Sequence, residues 1–157
     1  MKAILLEGIN EPLKLVDVDI PHLLPSEALI KVKASAFNRR DWWIKQGKYA
    51  GLKFPIILGS DASGIVEAVA DGCDKAWIGQ EVIINPGLNW GENENCQSAD
   101  FQILGLPENG TFAEFVKVSV SQLHKKPHFL SFEEAAALPL AGLTAYRALF
   151  TKARVKK

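Results

Sequence analysis

Asp61 stands among glycines in IILGSDASGIV, residues 56–66, a stretch otherwise built for burial. A carboxylate there could ligate a metal, or it could accept hydrogen bonds from the amides of a glycine-rich bend. Left unpartnered in apolar surroundings it would be costly, so partners are expected. The rest of the potential donor set is sparse: two cysteines, Cys73 and Cys96, and three histidines. A zinc site built from protein groups usually takes three or four Cys, His or acidic ligands. His124 and His128 have helical i, i+4 spacing, but Pro127 between them disrupts the helix that would align them. Nothing around Cys73 suggests a catalytic triad, and the expected state of both cysteines is a free thiol. Asp41 follows Asn38 by three positions in NRRDWWIKQG, a stretch suited to a short helix. Asn38 can cap that helix and Gly47 can end it. Asp41 then falls at the third helical position, where the helix N-terminus stabilises an acid by about 0.3–1 kcal/mol.

The elements around these residues are mostly short strands. KAILLEG leads to a turn at residues 10–12, and LKLVDVDI sets Leu13, Leu15, Val16, Val18 and Ile20 against Lys14, Asp17 and Asp19. EALIKVKASAF alternates Ala28, Ile30, Val32, Ala34 and Ala36 with residues that include Lys31 and Lys33, so the lysines should face water. After the helix, FPIILGSDASGIVEAVADG returns to strand character. Gly59 and Gly64 within it predict a bulge, a tight bend or a close approach. IGQEVIINPG is a further strand closed by a turn. Residues 86–110, with four Gly, four Asn and two Pro, read as one long loop, and a loop that long in a compact domain is usually functional or disordered. GTFAEFVKVSV resumes alternation. Ser131 and Glu134 have capping-box spacing before EEAAAL, Pro139 interrupts, and LAGLTAYRALFTKA can form a second helix. The order, many short strands and then two helices, predicts a mainly β chain with helices (α+β), arranged as a partly open barrel or sandwich.

Bulk properties narrow the function classes. With 157 residues the chain can hold one domain with a real core. Apolar residues make up 48% and charged residues 23%, with 18 Lys and Arg balancing 18 Asp and Glu, so a nucleic-acid or anionic-membrane surface is not indicated. No apolar run reaches the roughly 20 residues of a spanning helix, and MKAILLEG is too short for a signal-peptide core. The expected setting is cytoplasmic. The basic residues crowding the last positions suit a helix C-terminus.

Five segments in this order, KVKASAFNRRDWWIKQG, FPIILGSDASGIVEAV, IGQEVI, GTFAEFVKV and EEAAALPLAGLTAYRAL, resemble the medium-chain dehydrogenase/reductase superfamily. The likeness is greatest to its zinc-type alcohol dehydrogenase-like and quinone oxidoreductase branch, and it runs along essentially the whole chain. It implies a GroES-like barrel over residues 1–130. A helical segment over 131–157 would lead to a nucleotide-binding Rossmann domain that is absent from this chain, where no G-x-G-x-x-G occurs. It further implies NADPH or NADH as cofactor of the full-length protein, a small carbonyl, enone or quinone substrate, and a homodimer.

The departures from the family pattern bear on metal. Zinc-dependent members have Cys where this chain has Asn38 and His where it has Asp61, and their structural-zinc lobe carries four cysteines where this loop has only Cys96. No zinc is therefore expected. By resemblance, Asn38 lies beside nicotinamide and substrate, Thr144 lies near the nicotinamide, and Asp41, Trp43, Tyr49 and Asp61 belong to the substrate cleft. Tyr49 has a hydroxyl able to bond substrate or give a proton. Each has a plainer role open to it: a cap for Asn38 and Asp41, packing for Trp43 and Tyr49, a bend partner for Asp61, and a back-bond within the helix for Thr144. Two further functions stay open, an altered-ligand zinc-dependent alcohol dehydrogenase and a non-enzymatic GroES-like binding module.

Overall fold

The computed structural model describes residues 1–156. Ten strands and three α-helices follow one another as β1 (Lys2–Leu6), β2 (Lys14–Asp17), β3 (Glu27–Ala36), α1 (Arg39–Lys45), β4 (Ile56–Ile57), β5 (Asp61–Val69), β6 (Glu81–Ile84), β7 (Gly87–Leu88), β8 (Gln102–Ile103), β9 (Phe115–Ser119), β10 (Leu123–Lys125), α2 (Phe132–Ala136) and α3 (Pro139–Tyr146). A π-helical turn, Arg147–Lys152, continues α3. All strand pairs are antiparallel. The larger sheet has the order β10-β6-β5-β3-β9, a second runs β2-β1-β4, and β7 pairs with β8. The sheets do not close into a barrel, but residues 112–114 stitch the two larger ones together. Ile4 N–H donates to Phe112 O at 2.8 Å, Glu114 N–H to Lys2 O at 3.0 Å, and Val32 N–H to Glu114 O at 2.9 Å.

Two cores result. One gathers Ala28, Ile30, Ala62, Val66, Val82 and Ile84 between the strands of the larger sheet; the other joins Leu6, Ile44, Ile56, Leu58 and Phe112 beneath α1. The alternation of β3 holds, with Ala28 and Ile30 buried and Lys31 and Lys33 exposed. In β2 it holds only in part. This is an edge strand, so Val16 and Val18 pack on the second core while Leu15 stays 70% exposed.

The 86–110 stretch is not one long loop. Its ends return to pair as β7 and β8, and Leu104 and Leu106 are buried, one in each core. That turn back requires glycine. Gly59 (φ +95°), Gly105 (φ +96°) and Gly110 meet at a single point, where Gly110 N–H donates to Ile57 O at 2.7 Å and Thr111 N–H to Gly59 O at 3.0 Å. A Cβ on Gly110 would lie 2.0 Å from Gly59 O. Likewise a Cβ on Gly64 would lie 2.4 Å from Lys31 O, the close approach of β5 to β3 that its glycine signals.

The helix ends follow the sequence. Gly47 closes α1 at φ +71°, and the Ser131–Glu134 capping box opens α2. Pro139 begins α3 rather than interrupting a longer helix, because the first helical position needs no N–H. No residue of α3 is buried.

Candidate functional site

The N-terminus of α1 brings three of the six sequence-nominated residues together. Asn38, in extended backbone, is the residue before the helix. Its N–H donates to Asp41 Oδ2 at 2.8 Å, and Asp41 Oδ1 accepts from Gly59 N–H at 3.3 Å, so Asp41 pins the helix start to the glycine bend. The Asn38 side chain turns to β5 and donates from Nδ2 to Asp61 Oδ2 at 2.9 Å. Asp61, 1% exposed, accepts at Oδ1 from Leu140 N–H at 2.8 Å, in the first turn of α3. Its own carbonyl accepts from Thr111 Oγ1 at 2.9 Å. The buried carboxylate therefore has the partners its burial demands.

Thr144 joins the same chain of bonds one turn further along α3, where its exposed hydroxyl donates to Leu140 O at 2.8 Å. That is the back-bond of a helical threonine. Tyr49 lies to the other side, reached through Arg40: the guanidinium is 5.1 Å from the Tyr49 ring centre, and Nε is 3.5 Å from its hydroxyl. Trp43 stands outside the network, half-buried, with Lys48 Nζ 5.9 Å from its ring.

Arg40 is the functional-looking residue that sequence reasoning missed. Only 8% exposed, it donates to Ser60 Oγ at 2.7 Å and to Leu104 O at 2.8 Å, and Ser60 Oγ in turn donates to Leu104 O at 2.7 Å. Among the described residues no carboxylate forms a salt bridge with it. A signal was available, because Arg40 and the buried Ile44 are one helical turn apart, whereas Arg39 faces solvent.

Burial raises the pKa of both Asp41 and Asp61 above the ordinary 3.8. For Asp41 the bonds from Asn38 and Gly59 and the charge of Arg40 oppose the shift; for Asp61 the bonds from Asn38 and Leu140 oppose it and the charge of Asp41 adds to it. With folded values above unfolded ones, the native chain binds more protons across the intervening window. These two groups therefore favour folding most below the unfolded pKa, and that contribution is lost as pH rises through the folded values. Wild type should gain stability relative to Asp41→Asn as pH falls from about 7 to about 4. Urea unfolding of the pair at both pH values measures this, and a relative loss in acid would refute it.

A cavity of about 780 Å³ opens elsewhere, lined in part by Leu5, Ile57, Phe115 and Val118, and none of the six nominated residues lines it. Among the described residues no helix is long and apolar enough to cross a membrane. Cys73 and Cys96 are free. His124 lies on β10 and His128 beyond it, so no helix aligns them.

The antiparallel strands with a few short helices match a GroES-like domain. The chain belongs to the alcohol dehydrogenase GroES-like domain family, whose pattern matches residues 24–128. It is 35% identical over 150 residues to a zinc-type alcohol dehydrogenase-like protein of Leptosphaeria maculans, covering 90% of this chain and 42% of that protein. It is 36% identical to a crotonyl-CoA carboxylase/reductase of Cereibacter sphaeroides, covering 90% and 36%. Among solved structures, an NAD-dependent alcohol dehydrogenase superposes with a TM-score of 0.91 at 39% identity, over 99% of this chain and 48% of that one. The quinone oxidoreductase from Coxiella burnetii superposes at 0.80 with 32% identity, over 100% and 46%. The chain spans less than half the length of these relatives.

Proposed function

We propose that this chain is the catalytic-domain portion of an NAD(P)H-dependent oxidoreductase that works without zinc and reduces a small carbonyl, enone or quinone compound. The complete protein would be a cytoplasmic homodimer, with residues 131–157 leading into its nucleotide-binding domain. The observation that carries the zinc-free reading is the Asn38–Asp61 hydrogen bond. At the two positions where zinc-dependent members place Cys and His, this chain has an amide and a carboxylate bonded to each other. Both carboxylate oxygens already accept N–H groups. An amide is a poor zinc ligand, and among the described residues no three His, Cys, Asp or Glu side chains converge. The donor set does not fit zinc.

It does suit a nicotinamide. When bound, the reduced nicotinamide supplies the hydride. The chain's own groups hold and orient. Asn38 Nδ2 carries two hydrogens, and Asp61 takes one; the second is free to donate to a carbonyl oxygen. Because Asp61 can only accept when ionised, it also fixes which side of the amide is the donor. Thr144 Oγ1, its proton committed to Leu140 O, retains lone pairs for an amide N–H. Tyr49, its hydroxyl beside the Arg40 guanidinium, would give the proton. By family resemblance Asp41 and Trp43 would belong to the same cleft, Asp41 acting through the Asn38 backbone it holds.

The test is a steady-state assay of the full-length protein with NADH and with NADPH against quinones, enones and aldehydes, alongside elemental analysis after dialysis. Oxidation of one reduced nucleotide with substoichiometric zinc is expected. Stoichiometric zinc would replace this reading with an altered-ligand alcohol dehydrogenase, and no nucleotide oxidation would leave a binding module.

A further inference from the structure

Asp61 divides its carboxylate between two elements that otherwise have little to do with each other. Oδ2 holds the Asn38 side chain at 2.9 Å, and Oδ1 holds the Leu140 N–H at 2.8 Å. Leu140 is the second residue of α3, so the carboxylate sits where the helix N-terminus directs an N–H group and favours negative charge. The helix has few other attachments. None of its residues is buried, and residues 141–146 are all exposed. Beyond its far end, Arg147 donates to Glu94 O at 2.8 Å and Asn95 O at 3.0 Å, and Lys152 to Asn95 O at 2.5 Å. Ser63 Oγ, on β5, holds Phe132 O of α2, not α3. The side-chain bond that seats the first turn of α3 is therefore the one to Asp61.

We propose that Asp61 is a positioning residue that couples the seat of α3 to the orientation of the Asn38 amide. A carboxylate fixed at both oxygens cannot turn. Once the Leu140 N–H leaves, the group is free to rotate about its own side-chain torsions, and the Asn38 amide loses its fixed acceptor. Conversely, loss of the Asn38 bond leaves the carboxylate held from α3 alone. Such a link is reciprocal: whatever Asn38 does to the α3 seat, the seat does to Asn38. Whatever presses on the exposed face of α3, which carries Leu143 (48% exposed) and Tyr146 (60% exposed), is thereby felt at the donor of the reduction site. The inference rests on the preceding functional reading for the role of Asn38, but not for the link itself.

The test is amide hydrogen exchange by NMR on the full-length protein, without cofactor. In Asp61→Ala the Leu140 amide should exchange at least about 5-fold faster. The Asn38 Nδ2 resonances should move, while the core amides of Ile30 and Val66 keep their protection. Asp61→Asn has nearly the same shape but offers one acceptor oxygen to two donors, so at least one of the two signals should change. The deciding arm is Asn38→Ala, which removes nothing from α3 yet should shift Leu140 exchange by at least about 5-fold. Unchanged Leu140 exchange in Asn38→Ala overturns the coupling, even if both Asp61 variants unfold. The two readings fail separately. Coupling in a protein that oxidises no reduced nucleotide would end the functional reading and keep the link, and oxidation without coupling would do the reverse.

Discussion

Replacing Gly110 with alanine is expected to lower the unfolding free energy by about 3 kcal/mol or more, the upper range for overpacking a rigid site. The added Cβ would lie 2.0 Å from Gly59 O and 2.7 Å from both Gly105 Cα and Leu58 O. All three are backbone atoms, so no side chain can swing aside. Gly59 and Gly105 are themselves in the left-handed region, and Gly110 N–H is tied to Ile57 O, which leaves no direction for the backbone to retreat. For a domain of this length the midpoint should fall by roughly 10 °C. Gly142→Ala is the control of opposite sign. It lies in α3 with nothing within 4 Å of the new methyl, and it should stabilise by about 0.5–1 kcal/mol. Thermal melts of the two variants decide it. A Gly110→Ala midpoint within about 2 °C of wild type would show that the three glycines do not crowd one another as described.

Arg40→Met should cost about 3 kcal/mol, since two charge-assisted hydrogen bonds at roughly 1.5–3 kcal/mol each are lost while the methionine recovers part of the packing. The loss is not confined to α1. Arg40 is what fastens Leu104 O and Ser60 to the helix, and Leu104 belongs to the first core while Ile44 on the same helix belongs to the second. Loosening it should free the β7–β8 hairpin and the Tyr49 ring together. Arg40→Lys keeps the charge but cannot reach Ser60, Leu104 and Tyr49 at once, so it should recover little of the stability. Denaturant unfolding measures the loss, and tyrosine fluorescence in Tyr146→Phe backgrounds, where Tyr49 is the sole tyrosine, reports the ring. An Arg40→Met protein as stable as wild type would mean that the buried guanidinium is merely tolerated.

Local signals were read most faithfully where one residue settles one bond. Asn38 and Gly47 bracket α1, Ser131 opens α2, and Lys31 and Lys33 mark the wet side of β3, because capping and alternation depend on neighbours in the chain. The partners of Asp61 were foreseen in kind but not in identity. Asn38 and Leu140 lie far from it in sequence, and nothing local says which amides will reach it. The pairing within 86–110 is not legible in the sequence because β7 and β8 are two residues each, too short to show a period, and what folds them back is the distant Arg40 and the glycines at 59 and 110. The two arginines 39 and 40 look alike in the sequence; only the helical phase relative to Ile44 separates the exposed one from the buried one. The family roles of Asn38, Tyr49 and Thr144 came from resemblance, and in the fold Asn38 and Thr144 share one chain of hydrogen bonds while Tyr49 is joined to Arg40.

The bonds from Arg147 and Lys152 to residues 94 and 95 end on main-chain carbonyls, and the Arg147 guanidinium stacks 4.3 Å from the Trp90 ring centre. Every amino acid brings the same carbonyl. The side chains of Glu94 and Asn95 are therefore exchangeable without loosening the grip, which depends on the indole and the two cations. A region that looks variable by its letters can in this way keep one shape while its outward chemistry is rewritten.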